Sequence, residues 1–216
     1  MVQNVIFDMD GLMFDTERIS KTAWGIAGKE CGTDRGEELI YFAFGRSKAE
    51  SMIMLREHCG ADFPGARFFD RVNQIKQEII AKEGLPVKTG LYKLLDFLKE
   101  NNVRIAIATS THRELTMEYL QMAHLEGCFD VIATGDMVTR GKPSPDIFLK
   151  ACELLHAAPS DCLVLEDSIN GIHAAVNGGL LPFMIPDMVQ PDSKTLSLLA
   201  GMGKTLLDVI VYIQNH

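Results

Sequence analysis

The chain has 216 residues, 47% of them hydrophobic, with 29 acidic against 21 basic side chains and a formal net charge of −8. This apolar content suffices for a real core and excludes a disordered chain, while the negative balance argues against nucleic acid or an anionic membrane as partner. Any anion site must therefore be built locally from a few cations.

Five scattered cysteines with no C-x-x-C spacing suggest neither a disulfide framework nor a zinc site, so reduced thiols are expected. No basic leader precedes the first apolar run, and no run approaches the roughly 20 residues that span a bilayer. The expectation is a cytoplasmic protein that stays off membranes, with a monomer as default.

The first apolar run, NVIFDMD (4–10), is broken by Asp8 and Asp10, and Asp15 follows closely. Residues 16 to about 85 then carry helical patterns, ERISKTAWGIAGKE, KAESMIMLREHC and FFDRVNQIKQEIIAKEG, with no convincing strand. Gly84, Leu85 and Pro86 punctuate the end of this stretch. The division predicted is residues 1–15 with 86–216 as an α/β domain and 16–85 as an all-helical insertion.

Beyond it, helix patterns at 90–102, 112–123, 144–155 and 168–178 alternate with apolar runs at 104–110 (RIAIATS), 130–136 (DVIATGD), 162–168 (CLVLEDS) and 181–186 (LPFMIP). The runs lack clean polar alternation, as strands buried on both faces do. Alternating strands and helices predict a doubly wound, Rossmann-like α/β fold with a parallel sheet.

Ligands of such sheets bind beyond the carboxyl ends of the strands. Asp8 and Asp10 end the first run, Thr109 and Ser110 the second, Glu166 and Asp167 the fourth, and Lys142 follows the third. Oxygen ligands without His or Cys suit Mg²⁺, and Mg²⁺ favours a phosphate partner. One carboxylate can attack phosphorus to form an aspartyl-phosphate. A second acid two residues on lies on the same side of an extended segment, where it can protonate the leaving oxygen and then deprotonate water. Thr109, the Ser110 amide and Lys142 would hold the charge on the phosphoryl oxygens. The window Ile6 to Glu17 also imitates a calcium loop, but its first position is Ile6 and only five residues precede it, too few for the incoming helix.

The strings DMDGLMFDTE, ATS, KPSPDIF and LEDSINGI, in this order and at these separations, resemble the haloacid dehalogenase superfamily in its branch with a helical cap after the first strand. The resemblance implies Asp8 as nucleophile, Asp10 as general acid/base, Thr109 as the second-motif hydroxyl and Lys142 as the third-motif lysine. It implies Mg²⁺ held by Asp8, the carbonyl of Asp10 and Asp167, with Glu166 supporting its water shell. Family dehalogenases lack the second aspartate of the first motif, so Asp10 favours phosphoryl transfer.

In the cap, Gly45-Arg46-Ser47-Lys48 resembles a loop that reaches substrate, and Arg71 lies near another cationic cap position; solvated charge is the competing reading of Arg46, Lys48 and Arg71. Ser110, Thr111 and Arg113 are candidates for contact with the substrate, Thr111 and Arg113 with its distal part. Trp24 and SMIML (51–55) read as packing, and the scattered histidines receive no role.

The function implied is a Mg²⁺-dependent phosphatase of a small phosphorylated metabolite, such as a sugar phosphate. A β-phosphoglucomutase-like enzyme shares the machinery, but those mutases commonly have His where this chain has Ser20, and tend to show serine first in the second motif, which here reads ATST. A non-catalytic binding module on the same fold would be expected to lack Asp8 or Asp10, and both are present.

Overall fold

Six strands form one parallel sheet: β1 (Asn4–Phe7), β2 (Arg104–Ala108), β3 (Val131–Ala133), β4 (Cys162–Glu166), β5 (Leu181–Met184) and β6 (Gly201–Met202). The computed structural model describes residues 2–43 and 48–216, with the side chains of 48 and 49 outside the description. The spatial order is β3-β2-β1-β4-β5-β6, so β1 is central, flanked by β2 and β4. Every residue of β1 and β4 is buried, which is why their sequences run apolar without alternation.

The chain divides into two compact units, Met1–Asp15 with Pro86–His216, and Thr16–Leu85. The second contains α1 (Thr16–Glu30), α2 (Gly36–Ala43), α3 (Lys48–Cys59) and α4 (Gly65–Glu83). Its core gathers Ala23, Trp24, Leu39, Met54, Leu55, Phe68 and Val72, with the Trp24 and Phe68 rings edge to face at 4.9 Å. Two helices can approach closely because Gly36 lacks a side chain: a Cβ there would lie 2.0 Å from the Trp24 carbonyl oxygen.

The sheet unit carries α5 (Leu91–Glu100), α6 (Arg113–Met122), α7 (Asp146–Leu155), α8 (Ile169–Asn177), the short α9 (Ser193–Leu196) and α10 (Leu207–Asn215). In α5 the buried Leu91, Leu94, Leu95 and Leu98 form the stripe expected of a helix laid on a sheet. Each contributes about 1.5–3 kcal/mol of burial. Ile6, Ala106, Ala108 and Val164 share a cluster with Phe148, Ala151, Ala174 and Ala175 of α7 and α8. The small strand residues leave room for Phe148.

The strands are shorter than the apolar runs that announce them. β1 stops at Phe7 and β2 at Ala108, each just before the polar residue that its run carries at the strand end. Segments that the sequence pattern does not single out are α2, α9, β6 and α10.

Register brings the ends together. Phe7 pairs with Ile107 on one side and Leu165 on the other, so Asp8 comes level with Ala108 and Glu166. The Asp8 amide continues the ladder by donating to the Leu165 carbonyl at 3.0 Å. Past Asp8 the chain closes a tight hairpin: Gly11, at φ 84°, donates to the Phe14 carbonyl at 2.8 Å. The returning segment is laced to it by Asp15 N–H to Pro86 O and Lys88 N–H to Met13 O, both at 2.9 Å. Lys88 Nζ also bonds Asp187 Oδ1 at 2.9 Å, tying this segment to the loop after β5.

Candidate active site

Lys142 occupies the middle of the strand-end cluster. Its Nζ donates to Asp8 Oδ1 at 2.5 Å and to Glu166 Oε1 at 2.6 Å, and lies 4.7 Å from the Phe148 ring centroid. All three charged side chains are at least nine-tenths buried. Burying an ammonium is costly, but Asp8 and Glu166 outweigh that cost and hold it above the ordinary lysine range. Burial pushes the Asp8 carboxyl up to about 8; Lys142 opposes the rise, and Glu166 and Asp10 add to it.

Glu166 is fixed at both oxygens. Oε1 accepts from Lys142, while Oε2 accepts from the Ser168 amide and hydroxyl, each at 2.9 Å. Ser168 is also the N-cap of α8, its hydroxyl oxygen accepting from Gly171 N–H at 3.0 Å. Gly171 is required by space: a Cβ there would lie 1.8 Å from Glu166 Oε1. Ser168 and Gly171 both stand in the LEDSINGI string, yet only the folded contacts give them these tasks.

Asp8, Glu166 and Asp167 each offer a carboxylate oxygen, all within 4.8 Å of one another. Three buried carboxyl groups face one ammonium there, so full ionisation of the set would leave two negative charges to be balanced. A divalent hard cation with oxygen ligands fits both the charge and the donor set.

Thr109, buried at the end of β2, donates its amide to the Ala133 carbonyl at 3.1 Å, and its Oγ1 accepts from the Thr111 amide at 3.0 Å. Ser110 is exposed, and Thr109 and Ser110 line a cavity of about 140 Å³ with Gly135, Val138, Thr139, Gly141 and Ile147. The Thr111 hydroxyl donates to Asp10 Oδ2 at 2.7 Å.

Arg113 is exposed at the start of α6, its amide donating to Asp136 Oδ1 at 3.0 Å. Arg71 lies within the helical unit, where its guanidinium donates to Glu30 at 2.7 and 3.2 Å and to Glu78 at 2.8 Å. These hydrogen bonds push its pKa upward. Arg46 lies outside the described residues, as does the side chain of Lys48. Ser20 donates its hydroxyl to the Thr16 carbonyl at 2.9 Å.

The family model for haloacid dehalogenase-like hydrolase matches residues 2–179. The chain belongs to that family. A phosphorylated carbohydrates phosphatase of Thermotoga maritima is 34% identical over 179 residues, 83% of this chain and 82% of that protein. The β-phosphoglucomutase of Bacillus subtilis is 29% identical over 211 residues, 90% of this chain and 91% of its own. Among solved structures, CbbY from Rhodobacter sphaeroides in complex with phosphate matches with a TM-score of 0.77 at 26% identity, covering 97% of this chain and 96% of that one. The six-stranded parallel sheet with its helices is this family's α/β fold. No described helix is long and apolar enough to cross a membrane.

Proposed function

We propose that this phosphoric monoester hydrolase acts on a small phosphorylated carbohydrate, requires Mg²⁺ and works through an aspartyl-phosphate on Asp8. The observation that carries this reading is the buried Asp8–Lys142–Glu166 cluster at the end of the central strand, with Asp167 beside it. The phosphatase relative supports the substrate class.

In this reading an oxygen of Asp8 attacks phosphorus while the bond to the ester oxygen breaks, and Asp10 gives that departing oxygen its proton. Water then attacks the phosphoryl group, giving its proton to Asp10, and Asp8 is released. Lys142, the Thr109 hydroxyl and the Ser110 amide neutralise the equatorial oxygens in both steps. The cation would be held by Asp8, the Asp10 carbonyl and Asp167, with Glu166 steadying Lys142 and the surrounding oxygens. Bound there, Mg²⁺ supplies the charge that keeps Asp8 ionised near neutral pH and offsets the phosphoryl oxygens.

The test is phosphate release from a panel of sugar phosphates, nucleotides and phosphoglycolate, with and without Mg²⁺, by wild type and Asp8→Asn. The reading predicts Mg²⁺-dependent release that falls about 10⁴-fold or more in the variant. Wild-type rates in Asp8→Asn would contradict it. Isomerised sugar instead of free phosphate, from a hexose 1-phosphate with a bisphosphate activator, would assign the same machinery to a mutase.

A further inference from the structure

We propose that Thr111 is a positioning residue for Asp10, fixing the carboxyl that exchanges the proton with the leaving group; this rests on the phosphatase reading above. Thr111 is held before its side chain does anything. Its amide donates to Thr109 Oγ1 at 3.0 Å and its carbonyl accepts from the Gly135 amide at 3.0 Å. The second bond depends on close approach, since a Cβ on Gly135 would lie 2.1 Å from the Ser110 carbonyl oxygen. The backbone between β2 and α6 is therefore pinned from the turn after β3 as well as from its own turn.

From this fixed point the Thr111 hydroxyl reaches Asp10 Oδ2 at 2.7 Å, across 101 positions of sequence. That is the ordinary length of a strong O–H···O bond to a carboxylate. Asp10 has its own backbone set by the hairpin that pairs it with Phe14. Rotation of the carboxyl is a soft torsion that the backbone does not set, and the Thr111 bond restrains it. One oxygen is thereby anchored, and the carboxyl is held in one orientation for proton exchange. In the first step a proton passes from Asp10 to the ester oxygen as the P–O bond breaks; in the second, a water proton returns to Asp10. General acid–base catalysis of this kind needs the donor within hydrogen-bond reach of the oxygen it serves, so a carboxyl free to rotate forfeits part of it.

The same contact also ties two functions together. Thr109, which faces the phosphoryl oxygens in the proposed reading, accepts from the residue that orients the acid. Binding of the phosphoryl group and placement of the proton donor thus share a single turn.

The decisive experiment compares Thr111→Val and Thr111→Ser on two substrates. An alkyl phosphate such as a sugar phosphate needs a proton on its departing oxygen, whereas p-nitrophenyl phosphate releases a stable phenolate that does not. Read as kcat/KM, which reports the steps through Asp8 phosphorylation, Thr111→Val should lose about 10- to 100-fold on the sugar phosphate and no more than about threefold on p-nitrophenyl phosphate. Thr111→Ser, which keeps the hydroxyl, should restore most of the loss. Equal losses on both substrates, a rise in KM alone, no change, or a serine variant as impaired as the valine variant would each overturn the inference. Asp10→Ala, run alongside, separates the two levels. If it too leaves alkyl phosphate turnover at the wild-type level, the phosphatase mechanism itself fails; if it loses that turnover while Thr111→Val does not, only the positioning role fails.

Discussion

Asp8 and Lys142 lie 134 residues apart in sequence and meet at 2.5 Å beyond the end of the central strand. The contact depends on β1 being flanked by β2 and β4, on the Phe7–Leu165 register, and on the loop after β3 returning across the strand ends. Its energetic meaning is asymmetric. A buried pair of opposite charges adds little net stability, but removing one partner strands the other.

Lys142→Met should therefore be more damaging than its similar size suggests. Asp8 and Glu166 would lose the ammonium they share, at a cost of about 3–5 kcal/mol. Urea denaturation above about pH 8, where Asp8 is ionised, measures this directly, and Mg²⁺ should recover part of the loss because it brings positive charge to the same oxygens. A variant as stable as wild type at that pH without metal would show that Asp8 and Glu166 do not depend on the ammonium.

The metal-free protein should lose stability as pH rises. Asp8 keeps its proton to about pH 8 when folded, against 3.8 ordinarily, so between these values the folded state binds more protons than the unfolded chain. The contribution is fully present below about pH 4 and gone above about pH 8, with a slope of at most about 1.4 kcal/mol per pH unit. Melting midpoints of chelator-treated protein should fall across this window, and Asp8→Asn should flatten the curve. Mg²⁺ should raise the midpoint more at the alkaline end, where no proton has to be displaced.

Gly171→Ala pits two effects against each other. Within a helix, alanine is favoured over glycine by about 1 kcal/mol. Here the new methyl would sit 1.8 Å from Glu166 Oε1, a contact that only displacement of a buried, triply bonded carboxylate can relieve. Such overpacking costs about 1–3 kcal/mol, so the net change should be destabilising, with weaker Mg²⁺ binding by calorimetry. A stabilised variant would mean that Glu166 has room to move.

Much of this architecture is legible in the sequence because parallel strands buried on both faces leave apolar runs, and because the polar residues that interrupt them stand where the strands stop. Asp8, Thr109, Glu166 and Asp167 can be found that way, and Lys142 by the motif of the loop after β3. What is not legible depends on side-chain direction or on short elements. GEELIYFA forms α2, but its apolar run is too brief to distinguish helix from strand by period. In α10, LDVIVYIQN is rich in β-branched residues and becomes helical through packing of Val209 and Ile213. Thr111 reads as a candidate contact for the distal part of the substrate, and nothing local reveals that its hydroxyl meets Asp10 beyond the end of β1. Gly171 looks like a weak helix residue until the carboxylate above it is seen.

The central claim is that Asp8 carries the phosphoryl group, and chemical trapping tests it most directly. Enzyme mixed with substrate and Mg²⁺, quenched in acid during turnover and reduced with borohydride, converts an aspartyl-phosphate to homoserine, which peptide mass spectrometry locates. The account predicts homoserine at position 8 alone, and none without substrate. Turnover that leaves Asp8 unmodified, or that places the change at another residue, would contradict it.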